Sequence, residues 1–122
     1  MNSDRLDVHI SLMSGPRDGD ILIFGAPATD DELVLTIGRR EGCNIVLSYD
    51  TQVSRLHARL IYDARDTEFY LEDVESRNGT FIGQEKVKGR LPLEVGTLFR
   101  IGRTWMRLDP PANSPPSNPT MD

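Results

Sequence analysis

The sequence contains one cysteine, two histidines and no long apolar run. With Cys43 alone, the chain can form neither an intrachain disulfide nor a multi-cysteine metal site, and we interpret this residue as an unreactive side chain in a turn. His9 and His57 lie far apart, with no carboxylate pattern that would complete a metal site, so we expect no metal and no other cofactor. No apolar run approaches the roughly 18 residues of a membrane span, and the N-terminus lacks a signal-peptide core. We therefore expect a cytoplasmic protein without membrane contact.

A broad excess of positive charge is also absent. The 14 Lys and Arg residues face 19 Asp and Glu residues, and the formal net charge is -5. Because affinity for a nucleic-acid backbone needs clustered positive charge, nucleic acid is not an expected partner. Of the 14 basic residues, 12 are arginine. Their planar guanidinium groups suit bidentate contact with a carboxylate or a phosphate, so any phosphate recognition here would be local.

No segment has the pattern of a long amphipathic helix. The stretch LDVHISL (residues 6–12) alternates apolar and polar residues with period two, which predicts a half-exposed strand. Short apolar runs separated by Gly, Asp, Asn or Pro follow it: ILIF, LVLTI, NIVL, ARLIY, FYLEDV, LFRI and WMRL. Many short strands without intervening helices indicate an antiparallel sandwich or barrel, and 122 residues suffice for one domain.

The composition changes at Pro110. Residues 110–122 hold five of the eight prolines and almost no large apolar side chain, so we predict a domain over 1–109 and a disordered Pro/Ser/Asn-rich tail over 110–122. Thr29, followed by three acidic residues, is a candidate phosphorylation site or simply part of a solvated loop.

Ser54 and His57 raise the question of nucleophilic catalysis. A nucleophile needs a base within hydrogen-bonding reach and an acid behind that base. If residues 54–57 begin a strand, the two side chains point to opposite faces, and no Gly-x-Ser-x-Gly motif is present. The nucleotide-binding motifs GxGxxG and GxxxxGK[ST] are missing too. Phosphate-compatible donors do occur in three loops, at Gly38–Arg39, Ser54–Arg55 and Arg77–Thr80.

The segments IGR, IVL, VSRLHA, LEDVESRNGTF and LFRIG, in this order over residues 36–102, resemble the forkhead-associated (FHA) domain family. The resemblance implies a two-sheet antiparallel β-sandwich of about 11 short strands that binds phosphothreonine peptides and is not an enzyme. The implied partner is a phosphothreonine-containing protein, either a Ser/Thr kinase substrate or the kinase itself. Two alternatives remain: a phosphate-independent scaffold of the same fold, and a Ser/His hydrolase.

The resemblance also implies roles for individual residues. Those that would contact the phosphopeptide are Arg39, Ser54, Arg55, Arg77 and Asn78. Those that would support the site are Gly38, His57, Gly79 and Thr80. Of the two Ile-Gly-Arg triplets, residues 37–39 fit the phosphate loop and residues 101–103 fit the closing strand, with Arg103 as a solvated surface residue. Gly83 and Thr97 depart from the family's usual asparagine and aspartate.

Overall fold

The structure is a computed structural model that describes residues 6–25, 32–110 and 112–113. These residues form twelve β-strands and one short 3-10 turn, Gly15–Arg17, and none of them belongs to a helix long and apolar enough to cross a membrane. The strands are β1 (Leu6–Leu12), β2 (Ile21–Gly25), β3 (Glu32–Gly38), β4 (Ile45–Val46), β5 (Ala58–Asp63), β6 (Glu68–Asp73), β7 (Thr80–Ile82), β8 (Glu85–Lys86), β9 (Arg90–Pro92), β10 (Leu98–Ile101), β11 (Thr104–Leu108) and β12 (Ala112–Asn113).

The strands form two sheets. The first has the order β12-β1-β11-β10-β7-β8, with β2 also paired to β1, and the second has the order β4-β3-β5-β6-β9. The predicted all-β fold of two sheets is therefore confirmed, and the alternative of a barrel is not. Eight of the twelve strands coincide with the apolar runs of the sequence. One pair, β3 with β4, is parallel, whereas the others are antiparallel.

The core lies between the two sheets. Period-two alternation in β1 buries Val8, Ile10 and Leu12 and leaves His9 half-exposed, as the sequence pattern predicts. Burial of each such aliphatic or aromatic side chain stabilises the folded state by about 1.5–3 kcal/mol relative to leaving it exposed. The first sheet buries Ile10, Leu12, Phe99, Ile101, Met106 and Leu108, and the second buries Ile37, Ile45, Leu60 and Leu71.

Two predictions fall wholly or largely outside the described residues. Thr29 lies in the segment 26–31, which the structure does not describe. Of the predicted tail, only Pro110 and residues 112–113 are described, and the latter pair with Leu6 and Asp7 at the start of β1. The domain boundary and the disorder of the tail stay predictions.

The β4–β5 loop (residues 47–57) connects the other loops at one end of the sandwich. The backbone N–H of Arg39, in the β3–β4 loop (residues 39–44), donates to the carbonyl oxygen of Ser54 at 3.0 Å. The amide nitrogen of Asn78, in the β6–β7 loop (residues 74–79), donates to the carbonyl oxygen of Gln52 at 2.8 Å. These contacts gather the three phosphate-compatible loops into one surface.

Gly38 allows the closest of these approaches. A Cβ atom at this position would overlap the carbonyl oxygen of Arg55 and would lie 2.9 Å from the sulfur of the buried Cys43. Neither neighbour is the free end of a flexible side chain, so the loops could accept a side chain here only by separating. The predicted supporting role of Gly38 therefore has a steric basis.

We expect Gly38→Ala to lower the free energy of unfolding by about 1–3 kcal/mol, because the added methyl group overpacks the junction. The matched control is Gly42→Ala in the same loop, where a Cβ atom meets nothing within 4 Å. That variant should change stability by less than about 0.5 kcal/mol. Denaturant unfolding measures both, and equal stabilities would contradict the steric role of Gly38.

Candidate functional site

A cleft of about 260 Å³ lies among the loops at this end of the sandwich. Its lining contains all five residues that the sequence predicts as phosphopeptide contacts, and three further residues of the β4–β5 loop. The lining residues are Arg39, Thr51, Gln52, Val53, Ser54, Arg55, Arg77 and Asn78.

Arg39 follows directly on the last residue of β3 and is exposed. Its Nε donates to the carbonyl oxygen of Val53 at 3.0 Å, which holds the guanidinium group against the β4–β5 loop. Its two terminal nitrogens make no hydrogen bond to a described residue. The guanidinium group is thus oriented by the protein while its outer edge remains able to donate to a ligand.

Ser54 lies across the same junction, in the β4–β5 loop. Its hydroxyl oxygen accepts a hydrogen bond of 3.0 Å from the backbone N–H of Arg77. Because the oxygen already accepts this bond, the hydroxyl hydrogen can point away from it and donate to an acceptor in the cleft. Ser54 therefore offers one oriented O–H donor beside the guanidinium group of Arg39.

Asn78 presents a different pair of groups. Its amide nitrogen is bound to the carbonyl oxygen of Gln52, whereas its amide oxygen makes no hydrogen bond to a described residue. The turn that carries it continues into Gly79, whose φ of +92° favours glycine. Its amide oxygen is therefore available to accept a hydrogen bond from a ligand in the cleft.

Arg55 and Arg77 add positive charge to the rim. Both side chains are exposed, and neither forms an ion pair with a carboxylate in the part of the chain that the structure describes. With Arg39, they place three guanidinium groups around one cleft in a protein of net charge -5. The local charge of the cleft is thus opposite to that of the whole protein.

His57 braces the cleft from inside and is fully buried. Its Nδ1 accepts a hydrogen bond from the backbone N–H of Ser54 at 3.0 Å, so this nitrogen carries no proton. Its Nε2 lies 2.9 Å from the carbonyl oxygen of Gly79 and donates to it. One neutral imidazole therefore joins the β4–β5 loop to the β6–β7 loop. Burial lowers its pKa, against smaller opposing effects of the Gly79 hydrogen bond and of the charges on Asp73 and Asp50.

Residues 54–57 form part of a loop, and β5 begins only at Ala58. The premise that Ser54 and His57 begin a strand is therefore wrong, because the chain turns here to let His57 reach both loops. Both ring nitrogens are nevertheless engaged by backbone groups, which leaves neither available to take a proton from the Ser54 hydroxyl. Among the described residues, no group of three or more His, Cys, Asp or Glu side chains is placed to hold a metal ion.

Two carboxylates that sequence reasoning missed hold the loops in place. Asp73, at the end of β6, accepts hydrogen bonds from the hydroxyls of Ser76 and Thr80. The Ser76 hydroxyl oxygen in turn accepts from the backbone N–H of Gly79 at 3.0 Å. Thr80 is fully buried, and its hydroxyl donates to Asp73 at 2.7 Å.

Asp50 fixes the other side of the β4–β5 loop and is itself buried. Its Oδ2 accepts from the backbone N–H of Arg103 at 2.8 Å and from the hydroxyl of Thr104 at 2.6 Å, while Oδ1 accepts from the backbone N–H of Gln52. The last contact, two residues on, is a turn pattern typical of aspartate and could have been inferred from the sequence. The contacts with residues 103 and 104 could not.

The prediction that residues 101–103, the second Ile-Gly-Arg triplet, belong to the closing strand is only partly correct. Ile101 is the buried last residue of β10, but Gly102 and Arg103 form the turn before β11. Gly102 has a φ of +61°, which breaks the strand at that point. The unusual Gly83 lies in the β7–β8 turn and does not line the cleft.

We expect acid to destabilise the folded protein through His57. In the unfolded chain His57 takes up a proton near the ordinary histidine pKa of about 6.5, whereas in the folded protein the lowered pKa keeps the His57 imidazole neutral to lower pH. The stabilisation is therefore complete above about pH 6.5 and declines as the pH falls toward the folded pKa, with a slope of at most about 1.4 kcal/mol per pH unit.

Denaturant unfolding of the free protein between pH 7.5 and 5.5 tests this expectation. His9→Gln is the matched control and should keep the pH dependence, whereas His57→Gln should be less stable and lose most of it. Should His57→Gln fail to fold, the pKa of His57 can be followed by NMR in the wild-type protein. An NMR pKa at or above 6.5 would argue against the neutral brace.

Comparison with known proteins identifies the family of this chain. The model of the family described as "FHA domain" matches residues 35–102, more than half of the chain. The FHA domain-containing protein FhaB of Mycobacterium tuberculosis is 40% identical over 88 residues, which cover 72% of this chain and 55% of FhaB. The chain thus spans about half the length of the curated relatives that it matches first.

Solved structures share the fold. One FHA domain, from work on phosphothreonine-dependent FHA domain interactions, superposes with a TM-score of 0.68 at 26% identity, covering 84% of this chain and 95% of that one. The N-terminal FHA domain of S. cerevisiae Rad53p, in complex with a phosphothreonine peptide, gives a TM-score of 0.69 at 20% identity, covering 84% and 90%. The chain belongs to the FHA domain family.

Proposed function

We propose that the cleft binds a phosphothreonine side chain and that the protein is a phosphorylation-dependent interaction module. The observation that carries this proposal is the pairing of Arg39 and Ser54: a guanidinium group held by its Nε beside a hydroxyl group whose oxygen is already bound. A phosphothreonine brings three strong acceptor oxygens and about -1.5 to -2 charges, which these donors match.

Arg55 and Arg77 strengthen the attraction. Neither is neutralised by an ion pair within the described part of the chain, so both can approach an incoming phosphate. Charge-assisted hydrogen bonds contribute roughly 1.5–3 kcal/mol each. Two such bonds that exist only with the phosphate are enough to make binding depend on phosphorylation.

The peptide on either side of the phosphothreonine would lie across the β6–β7 loop. The amide oxygen of Asn78, which makes no hydrogen bond to a described residue, would accept from a backbone N–H of such a peptide. Because this contact involves the peptide backbone and no side chain, it would hold the peptide in position without selecting a particular sequence. Selection must come from side chains that reach other parts of the surface.

Catalysis is not part of the proposed function. With both nitrogens of His57 engaged, Ser54 has no general base among its observed hydrogen-bond partners. The protein should therefore show no turnover of a phosphate ester. The partner is proposed to be a substrate of a Ser/Thr kinase or the kinase itself, and a cytoplasmic location remains an expectation from the sequence.

Arg39→Ala and Ser54→Ala should each weaken binding of a phosphothreonine peptide while the protein stays folded. Each change also removes one hydrogen bond between loops, so we expect a loss of about 0.5–1.5 kcal/mol in the free energy of unfolding. Loss of one partner of a charged hydrogen bond costs about 2–5 kcal/mol, so we expect Arg39→Ala to be the more severe. Arg65→Ala, in the exposed β5–β6 turn, is the control and should bind normally. Wild-type affinity of Arg39→Ala in calorimetry would refute the assignment of the cleft.

A series of matched peptides carrying threonine, aspartate, phosphoserine or phosphothreonine at one position tests which of these side chains the cleft recognises. Phosphothreonine should bind best, and phosphoserine about fourfold more weakly because it lacks one methyl group. Aspartate is too short and too weakly charged to reach all the donors. Leaving two of them unpaired should cost at least about 2 kcal/mol, or roughly a factor of 30.

Equal affinity for all four peptides would favour the alternative of a phosphate-independent scaffold. Equal affinity for aspartate and phosphothreonine would show that charge alone governs binding. Titration by fluorescence anisotropy at a fixed salt concentration separates these outcomes.

A further inference from the structure

The edge strand β2 differs from the other strands that end the two sheets. Soluble proteins usually protect edge strands from pairing with another chain by shortness, charge or proline. The strands β4, β8 and β12 have two residues each, and β9 carries Arg90 and Pro92. Among the described strands, β2 pairs only with β1, and its five residues, ILIFG, include no charge and no proline. The edge of β2 therefore lacks this protection.

Two side chains of β2 are also unusually exposed for apolar residues. Ile21 and Ile23 are 58% and 57% exposed, whereas no other large apolar side chain among the described residues exceeds 42%. Leu22 and Phe24 alternate with them and pack against the core. The two isoleucines thus form an apolar strip on the outer face of the sheet, beside its edge.

The backbone of β2 offers hydrogen bonds along its open edge, the side away from β1. In an antiparallel pair, alternate residues point their N–H and C=O groups toward the partner strand. Hydrogen bonds between Leu12 and residues 19–20 set this alternation, so the groups of Ile21, Ile23 and Gly25 point away from β1. Those of Ile21 and Ile23 make no hydrogen bond to a described residue beyond the β1 ladder. The open edge can therefore accept another strand.

The residue order of β2 matches a second copy of itself. Antiparallel pairing about a two-fold axis at Ile23 sets Ile23 against its own copy, Ile21 against Gly25, and Leu22 against Phe24. Ile21, Ile23 and Gly25 are the residues whose backbone groups face the open edge, so each of their pairs would exchange two hydrogen bonds. No like charges meet, and the isoleucines of both copies share one face.

Two considerations limit the strength of such a dimer. The net charge of -5 on each copy opposes association, although charges more than about 8 Å apart are largely screened at physiological ionic strength. The contact of one five-residue strand with its copy belongs among small interfaces, which are weak. We therefore expect a dimer that forms at high micromolar concentration.

We propose that two copies of this chain pair through their β2 strands into a dimer with one continuous sheet. Each copy contributes the same edge, so the pairing is closed at two copies and does not continue into a fibre. The dimer forms without a ligand. The inference therefore goes beyond the proposed function and does not depend on it.

The direction of β2 determines where the two clefts lie in the dimer. The buried Asp50 of the β4–β5 loop accepts from Thr104 at the start of β11, and Met13, directly after β1, donates to Trp105. The end of β1 is thus the cleft end of the sandwich, and β2 begins there. Because the two β2 strands run in opposite directions, the clefts lie at opposite ends of the dimer. With the proposed function, which this consequence requires, one dimer joins two phosphorylated partners.

Sedimentation velocity of the free protein between about 10 μM and 1 mM tests the dimer. The mean mass should rise with concentration toward that of two copies. Ile23→Lys should stay monomeric, because residue 23 faces its own copy and two like charges would lie directly opposite. Val34→Lys changes a 41% exposed residue of β3 in the other sheet, and this matched control should dimerise like the wild type. Circular dichroism confirms that each variant is folded.

A charge-swap experiment tests the two-fold axis. Ile23→Glu should also be monomeric, whereas an equimolar mixture of Ile23→Lys and Ile23→Glu should contain more dimer than either variant alone, because opposite charges then meet at the axis. Hydrogen exchange gives an independent measurement. The amide hydrogens of Ile21 and Ile23 should exchange more slowly at high protein concentration in the wild type, and not in Ile23→Lys.

Four results would each overturn the proposal: a monomer at every concentration, a dimer that survives Ile23→Lys, a mixture no more dimeric than its components, or assembly beyond two copies. A failure of the proposed function looks different. It would appear as equal binding of phosphorylated and unphosphorylated peptides by the monomeric Ile23→Lys, whose cleft is unchanged, and it would leave the dimer of the free protein intact.

Discussion

The geometry of the cleft depends on the two hydrogen bonds that the imidazole of His57 forms with the loops on either side of it. It lies in the core, where a charged group would be costly, and it is neutral because one nitrogen accepts from Ser54 while the other donates to Gly79. Its backbone continues the link, since its N–H donates to Ile37 and its carbonyl oxygen accepts from Val74. One residue thus sets the distance between the loop that carries Ser54 and the loop that carries Asn78.

Two carboxylates add to the effect of the imidazole. The buried Asp50 accepts hydrogen bonds from its own loop and from the β10–β11 turn, so it ties these two segments together, and it would be costly to leave unpaired. The half-buried Asp73 accepts from the hydroxyls of Ser76 and Thr80 and so fixes the shape of the β6–β7 loop. The donors of the cleft are consequently positioned before a ligand arrives. A ligand then loses less of its binding free energy to the ordering of loops, which is the physical advantage of placing a binding site on a rigid sandwich.

Sequence reasoning succeeded where a residue's role is local and failed where it depends on a distant contact. Period-two alternation located β1, and the order of short motifs located the three loops of the cleft. The strand Glu85–Lys86 could not be found this way, because both residues are exposed and only their pairing with β7 defines them. The role of Asp50 was missed for a related reason. Its partner Thr104 lies 54 residues away in the sequence, and no pattern in the residues around Asp50 indicates that contact. Assigning Arg103 to a strand was the same error, since Gly102 turns the chain one residue earlier.

The opposition between the charge of the cleft and the charge of the whole protein follows from this arrangement. At physiological ionic strength the Debye length is about 8 Å, so a phosphate inside the cleft is attracted by Arg39, Arg55 and Arg77, while the acidic remainder of the surface is largely screened from it. A polyanion such as nucleic acid cannot confine itself to one cleft and must also approach the acidic surface, with a formal net charge of -5 against it. Placing a few unneutralised guanidinium groups on a narrow end of an acidic domain therefore favours a single phosphate on a slender chain over an extended array of phosphates. This discrimination needs no contact beyond those that already form the cleft.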